Sequence, residues 1–126
     1  MERKVVATKK APAAIGPYAQ ANIIGNLVFT SGQVPLDPET GLLVEGGIEA
    51  QTRQSLNNIK AVLEAAGSTM DQIIKTTCFL ANMEDFTTFN GIYEKYFTGK
   101  PARSCVAVKQ LPKNVLCEVE VIAVVD

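Results

Sequence analysis

The sequence predicts an α+β fold in which two helices cover one face of a mixed β-sheet. Stretches rich in β-branched residues alternate with stretches in which apolar residues recur every three or four positions, and the chain begins with an antiparallel hairpin pattern. The length of 126 residues is typical of one domain. We therefore expect a single domain over residues 1–126.

The first elements are predicted to be a short strand and a β-hairpin. Residues 5–7 predict the short strand. Residues 11–20 contain two prolines and a glycine, which predicts an ordered loop. Residues 21–24 and 27–31 flank a Gly-Asn pair, a two-residue connection that suits a primed hairpin turn. We expect these two segments to pair as antiparallel strands.

The middle of the chain predicts a second short strand and a long helix. Residues 42–44 are predicted as a strand because they follow a turn-rich segment. Within residues 48–66 the apolar side chains recur at helical spacing, and Gly67 stands where a C-terminal cap belongs. The positions that define this spacing are Leu56, Ile59, Leu63 and Ala66.

The next segments predict a strand followed by a second helix. Residues 73–81 are rich in β-branched side chains, which favours a strand. Aromatic residues at helical spacing predict a helix over residues 86–97 that ends before Gly99. Its start is expected to be capped by Asn82 or Asp85.

The chain is predicted to end with two strands, residues 102–108 and 116–125. Because they are consecutive in the chain, we expect these strands to pair. Two helices on one face of the sheet leave a second face, which here carries Val, Ile and Ala as often as polar residues. Oligomerisation is the simplest way to cover that face.

Composition excludes several classes of function. The chain contains no histidine, so Ser-His-Asp triads, Cys-His pairs and histidine metal sites are excluded. The net charge of −1 gives no field that would attract nucleic acid or anionic lipid. Three cysteines without C-x-x-C spacing, and no apolar stretch long enough to span a membrane, predict a soluble protein of the reducing cytosol.

Two charged residues in the last strands are the main candidates for chemistry. Arg103 shares a face of its strand with Cys105, and it is either an arginine that reaches solvent or a fixed guanidinium for a carboxylate ligand. Glu118 and Glu120 project to one side of the last strand, either as a solvated face or as part of a site. Pairing of the two strands would bring Arg103 near Glu118.

Other candidates are weaker when taken alone. Cys105 is either a small apolar residue or a thiol activated by a basic neighbour, and we assign Cys78 and Cys117 to the core. Tyr18 either packs on the core or forms the rim of a pocket. Ser31 offers a hydroxyl at the end of a strand.

Taken together, four separated stretches make the chain similar to the RidA/YjgF family of small imine deaminases. These are APAAIGPY, TSGQVP, QTRQSLNNIKAVLEAAG and PARSCVAV, at residues 11–18, 30–35, 51–67 and 101–108. The combination of PARSC, a Leu-Pro turn and an E-V-E strand is the most specific. The resemblance implies a chorismate-mutase-like α+β fold that assembles as a homotrimer, with sites in clefts between subunits.

The resemblance also implies an activity and a set of site residues. The activity is the hydrolysis of reactive 2-imino acids, 2-iminobutanoate and 2-iminopropanoate, to 2-oxo acids and ammonia, without metal or cofactor. Arg103 resembles the family's carboxylate-binding arginine, and Glu118 matches the acid that positions water. The residues that match the rest of its pocket are Tyr18, Ser31, Asn90 and Cys105.

Two alternative functions stay open. The same pocket could bind 2-oxo acids in a non-catalytic regulatory protein, because resemblance does not prove turnover. An RNA-cleaving inhibitor of translation is the other alternative, but the absence of histidine and the net charge of −1 argue against a nucleic-acid partner. A glutamate beside the arginine favours the enzyme.

Overall fold

A computed structural model describes residues 1–126 and shows one six-stranded mixed sheet and two α-helices. The strands are β1 (Arg3–Val6), β2 (Ala21–Ile24), β3 (Leu27–Thr30), β4 (Ile73–Leu80), β5 (Ala102–Ala107) and β6 (Cys117–Val124). The helices are α1 (Ile48–Ala66) and α2 (Phe86–Tyr96). The strand order across the sheet is β1-β2-β3-β6-β4-β5, and every pair is antiparallel except β4 with β5.

The hairpin is confirmed, and the first strand begins earlier than predicted. β2 and β3 pair from Ala21 opposite Thr30 to Ile24 opposite Leu27. Gly25 has a φ of 59°, which a glycine adopts without strain at the first position of a primed turn. β1 extends over the whole length of β2, which is why it starts at Arg3.

The strand predicted at residues 42–44 is wrong. Only one isolated bridge forms there, between Leu36 and Leu43. Asp37 donates its N–H to the carbonyl of Leu42 and accepts from the N–H of Gly41, so the segment closes into a tight turn. Val44 donates its N–H to the carbonyl of Pro35, but no second bridge follows, so the pairing does not become a ladder.

Helix α1 has the predicted bounds, whereas the predicted cap of α2 is wrong. Gly67 adopts the left-handed conformation at φ 84° and ends α1 as expected. Neither Asn82 nor Asp85 makes a side-chain capping bond. A 3₁₀ turn, Met83–Asp85, runs directly into α2, and the carbonyl of Met83 accepts from the N–H of Phe86. A backbone carbonyl therefore accepts from an N–H group at the start of α2, as a side-chain cap would.

The expected pairing of the last two strands is also wrong. β4 lies between β5 and β6, parallel to β5 and antiparallel to β6. Helix α2 connects β4 to β5, and a helical crossover of this kind allows two consecutive strands to pair in parallel. β6 lies on the other side of β4, between β4 and β3, so both edges of β6 are paired.

The two faces of the sheet differ as the sequence predicts. On β6 the residues Cys117, Val119, Val121 and Ala123 are buried beneath the helices. On the opposite face no element covers the sheet, and Phe29 and Val106 remain 40% and 47% exposed. Two helices on one face of a mixed sheet are thus confirmed, while the homotrimer stays a prediction. Neither helix combines the length and the apolar character needed to cross a membrane.

Candidate functional site

Arg103 is a half-buried cation without a carboxylate partner. It lies on β5, and its Nη1 donates a hydrogen bond of 2.6 Å to Oδ1 of Asn90 on α2. The guanidinium carbon lies 4.7 Å from the ring centroid of Tyr93 and 5.5 Å from that of Phe86. The only ion pair in the chain is between Arg53 and Glu49. The remaining donors of Arg103 are therefore available to an anion, beside a cleft of about 250 Å³.

Helix α2 supplies the platform that fixes this arginine. Tyr93 is buried, and its hydroxyl is 2.7 Å from Oγ1 of Thr76 on β4. Its ring packs against Phe89 and Phe97, with centroids 5.9 Å and 4.2 Å apart. A ring held in this way presents a fixed π face to the guanidinium.

Phe86 and Tyr93 also belong to the site, which the sequence did not predict. Phe86, Asn90 and Tyr93 are spaced by four and three residues, so they share one face of α2. That spacing was visible in the sequence. Its meaning depends on β5 lying beside β4, because this pairing places Arg103 under α2.

Cys105 lies next to a second thiol. It is in register with Cys78 on β4, and both side chains face α2. The neighbouring Cys78 thiol lowers the pKa of Cys105 to about 7; burial opposes this shift, and the charge of Arg103 adds a smaller lowering effect. The Cys105 thiol and burial raise the pKa of Cys78, whose Sγ donates to Oγ1 of Thr76 at 3.9 Å. Cys78 and Cys117 are buried, as expected.

Glu118 lies on the open face of the sheet, against the loop that follows β3. Gln33 and Val119 exchange backbone hydrogen bonds of 2.8 and 3.2 Å, which attach this loop to β6. A Cβ atom at Gly32 would lie 2.7 Å from the carboxyl carbon of Glu118, so a side chain at this position would displace that carboxylate. Burial, and next the charge of Glu120, raise the pKa of Glu118. This shift favours a carboxylate that accepts protons readily.

Tyr18 and Ser31 lie on the same side as Glu118. The three residues line a cleft of about 490 Å³. Ser31 donates its hydroxyl proton to the carbonyl of Ala19 at 2.6 Å, which leaves its oxygen free to accept. Tyr18 is 52% exposed on the loop between β1 and β2.

Gln20 holds this loop in place, which the sequence did not predict. Its side chain is buried, its Oε1 accepts from the N–H of Thr8 at 2.6 Å, and its Nε2 donates to the carbonyls of Thr8 and Pro12 at 3.0 and 2.8 Å. A buried glutamine needs such partners, but no pattern in the sequence indicates which ones.

The predicted site residues form two groups rather than one. Arg103 is in register with Thr76 on the helix-covered face, whereas Glu118 is in register with Phe79 on the open face. The expectation that one chain brings Arg103 beside Glu118 is therefore wrong. We call the first group the arginine half and the second the glutamate half. Their members are Asn90, Arg103 and Cys105 in the arginine half, and Tyr18, Ser31 and Glu118 in the glutamate half.

Comparison with known proteins places this chain among close relatives. The family model described as Endoribonuclease L-PSP matches residues 8–125. A protein named putative regulator AldR from Lactococcus lactis is 56% identical over 95% of this chain and 96% of its own length. A 2-iminobutanoate/2-iminopropanoate deaminase from Salmonella typhimurium is 53% identical over 96% of this chain and 97% of its own length.

A solved structure adds a ligand to the comparison. The crystal structure of TdcF from Escherichia coli with bound serine superposes with a TM-score of 0.92 at 45% identity. The match covers 98% of this chain and 99% of that chain. The sheet and both helices therefore have a counterpart in a protein that binds a small amino acid.

Proposed function

The chain belongs to the endoribonuclease L-PSP family, the family of the RidA/YjgF proteins, and we propose that it hydrolyses 2-iminobutanoate and 2-iminopropanoate to 2-oxo acids and ammonia. The observation that carries the proposal is the state of Arg103, a fixed guanidinium with no anion of its own. Relatives named as deaminases for these two imines support the same substrate class.

Arg103 is proposed to bind the substrate carboxylate. A planar guanidinium donates two parallel hydrogen bonds to a carboxylate, and such charge-assisted bonds are about twice as strong as neutral ones. Asn90 occupies one donor and thereby orients the others. The substrate carbon that carries the nitrogen is then held in a defined position, which supplies the positioning part of the rate enhancement.

The two halves are proposed to meet between copies of the chain, in a homotrimer. Since Arg103 and Glu118 lie on opposite faces of one sheet, a second copy must supply the missing half. The open face carries Ile24, Phe29 and Val106, which are 41%, 40% and 47% exposed, so it has apolar surface to bury. A closed ring of three copies would contain three equivalent clefts.

Glu118 is proposed to act on water. Its raised pKa suits a carboxylate that takes a proton as the water oxygen bonds to the imine carbon. The proton then passes to the imine nitrogen and gives a carbinolamine. The carbinolamine hydroxyl next gives its proton through Glu118 to the amino nitrogen, the C–N bond breaks as the C=O bond forms, and ammonia and the 2-oxo acid are released. The imine carbon is already electrophilic, so no covalent bond between substrate and protein is required. Tyr18 and Ser31 line the wall on this side, and Cys105 lines the other.

A second candidate is a non-catalytic protein that binds 2-oxo acids through the same arginine. The relative named a putative regulator, at 56% identity, is the observation that favours it. The family's description as an endoribonuclease raises a third activity, but the absence of histidine and the net charge of −1 argue against an RNA substrate.

Three free cysteines agree with the proposed location in a reducing cytosol.

Turnover of freshly generated imines separates these candidates. An amino-acid oxidase produces 2-iminobutanoate or 2-iminopropanoate, and semicarbazide trapping measures how fast the protein removes each imine. The deaminase proposal expects faster hydrolysis than in buffer alone. Binding of 2-oxobutanoate without any acceleration would identify a sensor, and cleavage of RNA without imine turnover would support the ribonuclease.

Mixing two inactive variants tests whether the site is shared. Arg103→Ala and Glu118→Gln damage different halves, so a mixed trimer contains one cleft with both halves intact. With equal random mixing about three quarters of the trimers are mixed, and the activity should return to about a quarter of the wild-type value. Mixing Arg103→Ala with Arg103→Lys is the matched control and restores nothing. No recovery in purified mixed trimers would contradict the shared cleft.

A further inference from the structure

The mechanism proposed above makes no use of the pair formed by Cys78 and Cys105. These residues are directly opposite each other on the parallel strands β4 and β5, and both side chains point to the same face. Cys105 is partly exposed beside Arg103, whereas Cys78 is fully buried behind it. One thiol can therefore meet a small reagent from solvent while the other can be reached only by its neighbour.

The backbone distance between the two cysteines allows a disulfide. Adjacent strands lie about 4.8 Å apart, and disulfide-bonded cysteines have Cα atoms about 4.4 to 6.8 Å apart. The Cβ atoms of two residues directly opposite each other on adjacent strands are farther apart than the Cβ atoms of a relaxed disulfide. Forming the disulfide would therefore strain the sheet. A strained disulfide is easily reduced, which is the property of a reversible modification.

The electrostatic setting assigns different roles to the two thiols. Arg103 and the Cys78 thiol stabilise the thiolate form of Cys105, which is the nucleophilic form. The neighbouring Cys105 thiol and burial raise the pKa of Cys78, so Cys78 keeps its proton, and its Sγ donates to Oγ1 of Thr76 at 3.9 Å. This asymmetry is the arrangement of an attacking thiol backed by a resolving thiol.

We propose that Cys78 and Cys105 form a reversible, peroxide-oxidised dithiol site. The Cys105 thiolate attacks a hydroperoxide, the O–O bond breaks, and the products are a sulfenic acid on Cys105 and a hydroxide or alkoxide ion. The Cys78 thiol then attacks the Cys105 sulfur, a disulfide forms, and hydroxide leaves with the thiol proton as water. The peroxide is reduced by two electrons, the thiol pair is oxidised by two, and a dithiol reductant reverses the change.

Mass spectrometry tests this proposal without any assay of deaminase activity. The intact, folded protein is treated with a small excess of hydrogen peroxide, alkylated and digested with trypsin. We expect each chain to become about 2 Da lighter and one alkylatable thiol to remain of the three. Cleavage after Lys95 and Arg103 separates the two cysteines, so the disulfide should link the peptide of residues 76–95 to that of residues 104–109. Dithiothreitol should restore all three thiols.

Two variants make the assignment specific. Cys78→Ala removes the resolving thiol, so the same treatment should add about 16 Da or more to Cys105 instead of removing 2 Da. Cys117→Ala is the matched control, because Cys117 is buried on a different strand, and it should still form the disulfide. Sulfinic acid on Cys105 of the wild type without any disulfide, a disulfide between two chains, or no reaction at all would each overturn the proposal.

Discussion

The arginine half and the glutamate half of the site are built by different means. Packing between a helix and two strands holds Arg103, because the buried Tyr93 joins α2 to β4 and carries the guanidinium on its ring. Loops hold the surroundings of Glu118, where the segment after β3 is attached to β6 and Gly32 lies against the carboxylate. The position of Arg103 therefore depends on packing in the core, and the position of Glu118 depends on the backbone geometry of the neighbouring loop.

The electrostatics of the two halves differ in a complementary way. Arg103 has a charge that no carboxylate of its own chain neutralises. Glu118 is a carboxylate whose pKa is raised by burial and by Glu120, so its charge is disfavoured where it lies. Glu94 lines the cleft beside Arg103 and Lys113 lines the cleft beside Glu118, but neither forms an ion pair there. A closed assembly that joins the two halves would bring Arg103 and Glu118 together, and the following predictions test this comparison.

The largest expected effect is on turnover in Glu118→Gln. The amide keeps the shape of the side chain but cannot take a proton, so kcat for 2-iminobutanoate should fall by a factor of about 10² to 10⁴. Affinity for the unreactive 2-oxobutanoate, measured by calorimetric titration, should stay within about threefold. Full activity in this variant would show that Glu118 does not act on the water.

The second effect is on binding in Arg103→Lys. An ammonium cannot reproduce two parallel hydrogen bonds, so affinity for 2-oxobutanoate should fall by about 10- to 100-fold, nearly as far as in Arg103→Ala. Lys60→Ala, a change on the exposed surface of α1, is a suitable control and should bind normally. Normal binding by Arg103→Lys would remove the carboxylate clamp from the mechanism.

A smaller effect is expected from Gly32→Ala. The new methyl group must displace the Glu118 carboxylate, and kcat should fall by about tenfold or more while affinity for 2-oxobutanoate changes little. Gly99→Ala is the matched control, because a Cβ there meets its nearest neighbour at an ordinary 3.6 Å. Equal kinetics of the two alanine variants would show that the close approach of Gly32 does not position Glu118.

The smallest effect concerns stability and pH. Because the folded chain raises the pKa of Glu118, its ionisation costs stability as the pH rises from the ordinary glutamate value of about 4.3 through the raised value. In the Arg103→Ala background, Glu118→Gln should therefore raise Tm by a few degrees at pH 7, and the gain should vanish near pH 4.

The same substitution in the wild-type background measures the coupling between the halves. If an arginine from a neighbouring copy lies against Glu118, the charged form is already stabilised and the gain in Tm at pH 7 should be smaller. An equal gain in both backgrounds would indicate that the two halves do not meet.

Local elements were predictable from the sequence because their signals are local. Helix α1 ends at Gly67 as its spacing indicates, and the Gly25 turn defines the hairpin. The sheet order was not predictable in this way, because a strand's neighbour depends on its connection through α2 rather than on its place in the chain. Residues 42–44 have the composition of a strand, but they pair with residues 35–37 through a single bridge and form no ladder.

The same limit applies to the candidate site. The residue types of Arg103 and Glu118 drew attention in the sequence, but their placement on opposite faces follows from pairing with β4. The lowered pKa of Cys105 was unexpected for a related reason, since its cause is Cys78, 27 positions away in the chain and adjacent only in the sheet. The absence of histidine had suggested that no neighbour would activate this thiol.

Gln20 has a consequence for how the protein can change. Its side chain joins Thr8 to Pro12 and closes the base of the loop that carries Tyr18, and residues 13–17 make no hydrogen bond to residues outside this loop. Insertions, deletions and substitutions at the tip would reshape the rim of the cleft without disturbing the core beneath it. Under the proposed function, the choice of substrate side chain and the stability of the domain are therefore separable, and a library confined to residues 13–17 should alter the first while preserving the second.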